Sequence, residues 1–389
     1  MRSRRLVTLT VTLAVVLAVV FAVAAPYLRA ASLIVRAANM GGRAEAIADG
    51  TARTVSVAPR HTVSTRHGEV TAQFYRPDGR SRRSTLLVPG IHSMGVDEPR
   101  LKALARDLAG SGVTVMTMAL PDLMQYQVTA QSTDVIEDVV SWMLTQPDLA
   151  PDGLVGMTGI SFAGGLSVVA AGRPAIRDKV AFVMSFGGHG DLPRTLKYLV
   201  TGEAPQVPGV ETHPPHDYGV AVISYAGADL IVPPEQVKPL REGIGTFLLA
   251  SQLTLVNMDQ ANATFARARE MAKALPEPSA TYLTWVNDRN VKALGPLLAP
   301  HVAAFSGDPA ASAVRAPSPP AAPVYLLHGI GDVVIPTAES VLLADYLRSK
   351  GVEVHLLLSG LITHAEVDQS AAASETWKLV SFWASILRQ

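Results

Sequence analysis

Apolar and polar positions in the first half of the chain follow two periods in turn. The run "STLLVPGI" (84–91) is mostly apolar up to a Pro-Gly break, which is typical of a buried strand. By contrast, "PRLKALARDLAGSG" (99–112) has apolar residues at helical spacing and stops at glycine. The same exchange of patterns repeats through residues 54–191. Strands that alternate with helices predict an α/β fold with a mainly parallel sheet flanked by helices.

This alternation stops in the second half of the chain and resumes near its end. Residues 192–318 have mostly helical patterns, such as "PEQVKPLREGIGTFLLASQLTLV". A Pro-rich connector, "APSPPAAP" (316–323), follows and is stiff and extended by composition. Strand and helix patterns then return in residues 319–389. We therefore predict one α/β domain, in two parts, with a helical cap inserted at 192–318.

The N-terminus carries a long uncharged apolar run. Leu6 to Ala25 contains no charged residue, and its length suffices for a helix to cross a bilayer. The arginines of the preceding "MRSRR" favour an N-terminus inside, which places the rest of the chain across the membrane. We predict a transmembrane anchor or signal at 1–27, a linker at 28–53 and an extracytoplasmic globular domain.

A cleaved secretory signal is the alternative for the same segment. The tripeptide "AVA" (22–24) resembles a cleavage site, although the run exceeds the apolar core of roughly 7–15 residues found in ordinary signals. Arg29 and Arg36 on the far flank also weaken the charge asymmetry. Cleavage would make the protein secreted rather than membrane-anchored.

Composition excludes several classes of function. The 33 Lys and Arg residues equal the 33 Asp and Glu residues, and the globular part has no basic stripe, so we expect no nucleic-acid partner. The absence of cysteine excludes disulfides, thiolate metal sites and a cysteine nucleophile. The sequence lacks metal-binding His spacing and both GxGxxG and P-loop motifs, so we expect no metal and no cofactor.

A candidate nucleophile lies in "GISFAGG" (159–165), between a strand pattern and a helix pattern. A serine on such a turn needs small residues two positions before and two after it, because the strand and helix backbones approach closely there. Gly159 and Ala163 meet that requirement around Ser161. The same small residues also suit a helix that packs closely on a sheet. The local motif therefore leaves packing and chemistry open.

Partners for a serine nucleophile occur further along the chain. A serine hydroxyl needs a base to take its proton, and the base is held by an acid. Asp332 follows the strand pattern "VYLLHG", and His364 follows the next one, "VEVHLLLSG". Both would then lie beyond the carboxyl ends of parallel strands, where such sheets place their sites. We predict that Ser161, Asp332 and His364 form a catalytic triad.

Other residues compete for these roles. Asp229, in "ISYAGADLIVPP" (223–234), also follows an apolar run, but a long helical region comes after it instead of a strand and a histidine. We read it as a turn residue at the start of a cap helix. His92 and His189 follow strands and are candidates to line the pocket, whereas we expect His328 to be structural.

Together these motifs resemble those of the α/β-hydrolases, and the resemblance covers residues 62–389. The motifs that carry it are "GISFAGG", "PGIH" (89–92), "HGIGDVVIP" (328–336) and "THAE" (363–366). By this resemblance the backbone N–H groups of Ile91 and Phe162 would form the oxyanion hole. Many members have His-Gly where this chain has Pro89 and Gly90, but that histidine does no chemistry in the mechanism.

The resemblance implies acyl transfer to Ser161, with His364 as general base and Asp332 orienting it. A membrane-tethered member with an apolar cap is most similar to a carboxylesterase or lipase-like enzyme that acts on small-molecule or lipid-like esters. Peptidase and thioesterase activities are the enzymatic alternatives. A tethered protein that binds a lipophilic ligand without turnover is the alternative of another class.

Overall fold

The computed structural model describes residues 2–81, 83–254, 257–362 and 373–389. Within them the chain forms a nine-stranded sheet flanked by helices. The strands are β1 (Val55–Val57), β2 (His61–Thr65), β3 (Gly68–Pro77), β4 (Ser84–Val88), β5 (Thr114–Met118), β6 (Val155–Ile160), β7 (Val180–Phe186), β8 (Val324–Gly329) and β9 (Val354–Ser359). The helices outside the cap are α1 (Arg2–Ala37), α2 (Gly42–Thr51), α3 (Pro99–Gly110), α4 (Pro121–Met124), α5 (Ala130–Leu144), α6 (Phe162–Ala171), α15 (Ala338–Ser349) and α16 (Ala373–Ile386).

The sheet is mainly parallel, which confirms the predicted fold class. Its strand order is β1-β3-β5-β4-β6-β7-β8-β9, and β2 pairs with the first half of β3, residues 68–72. The six strands from β5 to β9 in this order run parallel, whereas β3 is antiparallel to β5 and to β1. Strands β4, β5, β6, β7 and β8 are almost entirely buried, as expected where helices cover both faces. The loops after β4, β6, β8 and β9 therefore start from the same edge of the sheet.

A helical insertion separates β7 from β8. Its helices are α7 (Leu192–Thr201), α8 (Tyr218–Ala226), α9 (Ala228–Ile231), α10 (Pro234–Leu253), α11 (Met258–Ala274), α12 (Ser279–Asn287), α13 (Val291–Leu298) and α14 (Val302–Ser306). Buried apolar residues of α10, such as Leu240, Ile244 and Phe247, belong to the same hydrophobic cluster as the core residues Leu166 and Val183. The insertion is thus packed onto the α/β domain as a cap.

The segment predicted as a linker, 28–53, contains the end of α1 and the whole of α2. Helix α1 continues to Ala37, and α2 packs against it. Leu33 and Ile34 on α1 are buried in a cluster with residues of α3 and α16. The sequence pattern missed this because Arg36, which looks like a surface residue, is itself buried and ion-paired with Asp107 at 2.9 Å.

Candidate active site

Ser161 lies on the turn between β6 and α6, as the sequence predicted, and its backbone is strained. Its φ of 56° and ψ of −133° fall in a region that residues with a side chain rarely adopt. Such a conformation costs about 1–3 kcal/mol and persists only where the surroundings enforce it. Here the Ser161 N–H donates to the Phe186 carbonyl at the end of β7, at 2.7 Å. The turn is therefore fastened to the neighbouring strand.

Glycines around this turn let the strand and helix backbones meet. A Cβ on Gly159 would collide with the carbonyl group of Ala163. A Cβ on Gly90, in the loop after β4, would lie 3.2 Å from the Cβ of Ser161. The small residues that suggested both packing and chemistry thus serve the geometry of one tight turn.

Replacing Gly159 with alanine is expected to destabilise the protein by about 1–3 kcal/mol, because a backbone carbonyl cannot give way as a flexible side chain can. The measurement is the thermal midpoint of the full chain, followed by circular dichroism. The matched control is Gly50→Ala on the exposed side of α2, where an added Cβ meets nothing within 4 Å. That variant is expected to be as stable as the parent or slightly more stable. Equal midpoints for the two variants would contradict the account of the turn.

Ser161 opens into a cavity of about 980 Å³ between the α/β domain and the cap. On the domain side the cavity is lined by the residues after β4 and by the start of α6. The lining as a whole is mostly apolar. On the cap side it includes Leu196, Leu199, Val222, Ile223 and Phe247, together with the charged residues Asp217, Asp229, Arg241 and Arg289. The cavity is large enough for a drug-sized ligand, and a lining of this kind suits an apolar chain.

Both residues predicted to supply oxyanion donors line this cavity together with Ser161. Phe162 is the first residue of α6, where a backbone N–H has no carbonyl one turn earlier to bond. Ile91 follows Gly90, whose close approach to Ser161 keeps this loop beside the serine. The structure therefore brings Ile91, Ser161 and Phe162 to one wall.

Asp332 is buried in the loop after β8, where its carboxylate is held by N–H donors. One oxygen, Oδ1, accepts the backbone N–H groups of Val334 at 2.8 Å and Ile335 at 3.0 Å. The other, Oδ2, lies 3.3 Å from Nε2 of His328. Burial, followed by the nearby Asp332 charge, raises the pKa of Tyr198 to about 12. The two N–H donors hold the Asp332 carboxylate in a fixed position.

His328 has the structural role expected from the sequence. It is fully buried, and its Nε2 lies 2.9 Å from the Ile335 carbonyl. Because a carbonyl can only accept, this nitrogen carries a proton. The other ring nitrogen, Nδ1, lies 2.6 Å from the Ser340 hydroxyl at the start of α15. His328 thus ties the Asp332 loop to the helix that follows it.

His364, the predicted base, lies outside the described residues. The motif "THAE" belongs to the segment 363–372, between the end of β9 and the start of α16. Its role therefore stays a prediction.

Asp229, the competing acid, sits where its sequence context suggested, in the first turn of the short helix α9 in the cap. Its side chain is more than half exposed and pairs with Arg241 at 2.5 Å. An exposed carboxylate already paired with an arginine is poorly suited to hold a histidine. Asp229 and Arg241 both belong to the cap side of the cavity lining.

The two other loop histidines differ in access to the cavity. His92 lines it, and its Nδ1 accepts the backbone N–H of Met94 at 3.2 Å. Burial, helped by the Arg100 charge and opposed by that of Glu98, lowers the pKa of His92, so the ring is neutral at pH 7 with its proton on Nε2. That N–H can donate to a bound substrate. His189 is instead fully buried, with Nε2 2.8 Å from the Ala311 carbonyl, outside the cavity wall.

A polar cluster between the cap and the α/β domain was not predicted from the sequence. Gln252 on α10 accepts from the Ser93 hydroxyl at 2.9 Å and donates to the Tyr126 hydroxyl at 3.1 Å. Tyr126 also has a positive φ of 59°. Both partners are more than a hundred residues from Gln252 in sequence, so no local pattern marks the contact. The cluster holds the cap over the wall next to Ser161.

The strand order and the strained serine after β6 define the class of this fold. A mainly parallel sheet that carries a serine on a sharp strand-to-helix turn is the arrangement of the α/β-hydrolases. The fold that the sequence resembled is thereby confirmed.

Comparison with known proteins adds solved structures of low identity. No protein-family model and no curated protein matches the chain. An esterase from Pyrobaculum calidifontis is similar at 16% identity and a TM-score of 0.47, over 93% of this chain and 90% of the esterase. An acylaminoacyl peptidase from Pyrococcus horikoshii is similar at 12% identity and a TM-score of 0.47, over 89% of this chain and 43% of the peptidase. Brefeldin A esterase, described as a bacterial homologue of human hormone-sensitive lipase, is similar at 15% identity and a TM-score of 0.42, over 87% of this chain and 76% of that one.

Proposed function

We propose that the protein is a serine hydrolase that cleaves carboxylic esters through an acyl-enzyme on Ser161. The observation that carries the proposal is the strained turn that presents Ser161 to an apolar cavity beside Ile91 and Phe162. A strained residue in a cavity wall is typical of a functional position, because the fold has to maintain it at a cost.

In this mechanism the serine hydroxyl attacks the ester carbonyl while His364 takes its proton. The backbone N–H groups of Ile91 and Phe162 donate to the oxyanion that forms, in the tetrahedral intermediate. His364 then returns the proton to the departing alcohol, and water releases the acid in a second half-reaction. Asp332 keeps the imidazole oriented and stabilises its positive charge.

The spacing of the strands supports this assignment. Ser161 follows β6 and Asp332 follows β8, with β7 between them. Neighbouring strands lie about 4.8 Å apart, so the two loops start about 10 Å from each other. An imidazole with one hydrogen bond on either side bridges a gap of this size. In the sequence, His364 comes five residues after the end of β9, which pairs with β8.

The mostly apolar lining of the cavity favours esters with a hydrophobic acyl or alcohol part. We expect turnover of p-nitrophenyl esters that improves as the acyl chain lengthens, because each buried methylene contributes about 0.8 kcal/mol of binding. The panel includes matched thioesters and aminoacyl p-nitroanilides, with Ser161→Ala as the blank. Faster cleavage of the anilides would favour a peptidase instead, and faster cleavage of the thioesters a thioesterase. Absence of turnover throughout would favour a binding protein.

We further propose that the first part of α1 anchors the protein in a membrane. From Ala30 onward α1 is partly buried against the domain, whereas the side chains of Val19, Val20, Phe21 and Val23 are exposed. The exposed residues 19–23 belong to the uncharged run that ends at Ala25. Flotation of the full chain with lipid vesicles, resistant to alkaline carbonate, tests this proposal. Recovery of the chain in the soluble fraction would contradict it.

A further inference from the structure

A partly exposed aromatic pair lies at the point where α1 leaves the domain. Tyr27 stacks on Trp377 of α16, with ring centroids 5.5 Å apart and planes within 6°. The guanidinium of Arg388 lies 4.8 Å from the centre of the Tyr27 ring. We call these three residues the Tyr27 cluster. Although Trp377 takes part in this stack, 60% of its surface remains exposed.

The cluster lies at a defined height along α1. Tyr27 is two residues beyond the end of the uncharged run, which is about 3 Å along a helix. Trp377 comes from α16 and Arg388 from the residues that follow it, so the domain itself reaches down to this level. Among the described residues, the exposed large apolar side chains include two aromatic ones, Phe21 and Trp377, and both lie on α1 or against it.

The last turn of α1, C-terminal to Tyr27, is fixed to the α/β domain by buried contacts. Arg36, the second-last residue of α1, donates to the Asp107 carboxylate and to the Asp107 carbonyl, both at 2.9 Å. It also contacts the Ser111 hydroxyl at 3.3 Å. Leu33 and Ile34 pack into the cluster shared with α16. A helix held by buried contacts of this kind cannot swing freely, so the level of the Tyr27 cluster is fixed relative to the domain.

We propose that the Tyr27 cluster seats the catalytic domain on the headgroup layer of a phospholipid bilayer. Tyr and Trp side chains concentrate at this layer because one end of each is apolar and the other is wet. The exposed Arg388 places a cation there, where it meets lipid phosphates. The occupant is a lipid surface because the cluster is continuous with the apolar part of α1. The inference rests on the proposed anchor and is independent of the chemistry at Ser161.

The seating also fixes where the cavity stands. Residues Ala37, Ala38 and Asn39, at the end of α1, belong to the cavity lining. They are 12 or more residues beyond Ala25, which corresponds to about 18 Å of helix above the apolar layer. The domain would thus work at a constant height, with this end of the cavity facing the water side of the interface.

The test measures whether Trp377 touches lipid. The full chain is reconstituted into phosphatidylcholine–phosphatidylglycerol vesicles that carry a spin-label quencher near the top of the acyl chains. Emission is compared for the parent, Trp377→Phe and the control Trp285→Phe, which removes an indole from cap helix α12. We expect lipid quenching in the parent and in the control, and its loss in Trp377→Phe. Aqueous iodide is expected to quench the emission of Trp377 less when the chain is in vesicles than when it is in detergent solution.

Each outcome separates the seating from the anchor. Flotation with equal lipid quenching in the parent and Trp377→Phe would overturn the seating while leaving the anchor standing. Shielding of Trp377 from both lipid quencher and iodide would show that a protein partner covers it, which also overturns the proposal. Failure of the chain to float would overturn both the anchor and the seating. Ester turnover by the soluble chain would then test the proposed hydrolase activity separately.

Discussion

Ser161→Ala is expected to lower kcat for ester hydrolysis by about 10⁴–10⁶-fold, because no other group then forms the acyl-enzyme. KM is expected to change little, since the cavity wall contributed by the cap stays intact. The substitution does not change the backbone strain at position 161, because alanine and serine both carry a Cβ at φ 56°. The measurement is kcat and KM for a p-nitrophenyl ester, on protein whose thermal midpoint matches that of the parent.

The matched control is Ser167→Ala, which removes a hydroxyl from α6, the helix that begins directly after Ser161. Ser167 is fully buried and is absent from the cavity wall around Ser161. Its loss is expected to leave kcat within about threefold of the parent, in line with the small effect of many substitutions outside an active site. Retention of a tenth or more of the parental kcat by Ser161→Ala would exclude this serine as the nucleophile.

Asp332→Asn is expected to reduce kcat by about 10⁴-fold with little loss of stability. In serine hydrolases the amide holds the imidazole in the wrong tautomer, which prevents it from accepting the serine proton. The backbone N–H groups of Val334 and Ile335 can still bond the remaining oxygen, so the loop keeps its shape. The pH–rate profile of the residual activity is expected to lose the limb that reports the free imidazole.

Asp229→Asn distinguishes the two candidate acids. It weakens an exposed pair with Arg241 in the cap, an interaction of the kind worth at most about 1 kcal/mol. We expect Asp229→Asn to keep most of the parental kcat. A loss in Asp229→Asn as large as that in Asp332→Asn would assign the acid to the cap instead, and the triad proposed here would be wrong.

The sequence predicted features that depend on neighbouring residues better than features that depend on residues far apart in the chain. The turn at Ser161 was predictable because its requirements are local, with Gly159 and Ala163 two residues away on either side. The helical cap was predictable because a long stretch keeps one periodicity. The strand order was less accessible, since the pairing of β4 with both β5 and β6 depends on contacts across the whole domain.

Burial of polar residues accounts for most of what the sequence could not predict. Arg36 read as a flanking surface charge, yet it is buried because Asp107 compensates it. Gln252 read as one more polar position on a helix, yet it joins the cap to the domain. In both cases the partner is distant in the chain, and a polar residue gives no periodic sign of a partner it meets only after folding.

Covalent labelling with a fluorophosphonate probe tests the central claim most directly. The probe reacts with a serine only when a base activates its oxygen and donors stabilise the adduct, so it reports the assembled site. The full chain is treated with the probe, and the modified residue is located by mass spectrometry of its peptides. We predict one adduct per chain, on Ser161, present in Ser167→Ala and absent from Ser161→Ala and Asp332→Asn at short times. An adduct on another residue, or a folded chain that takes up no probe, would contradict the account.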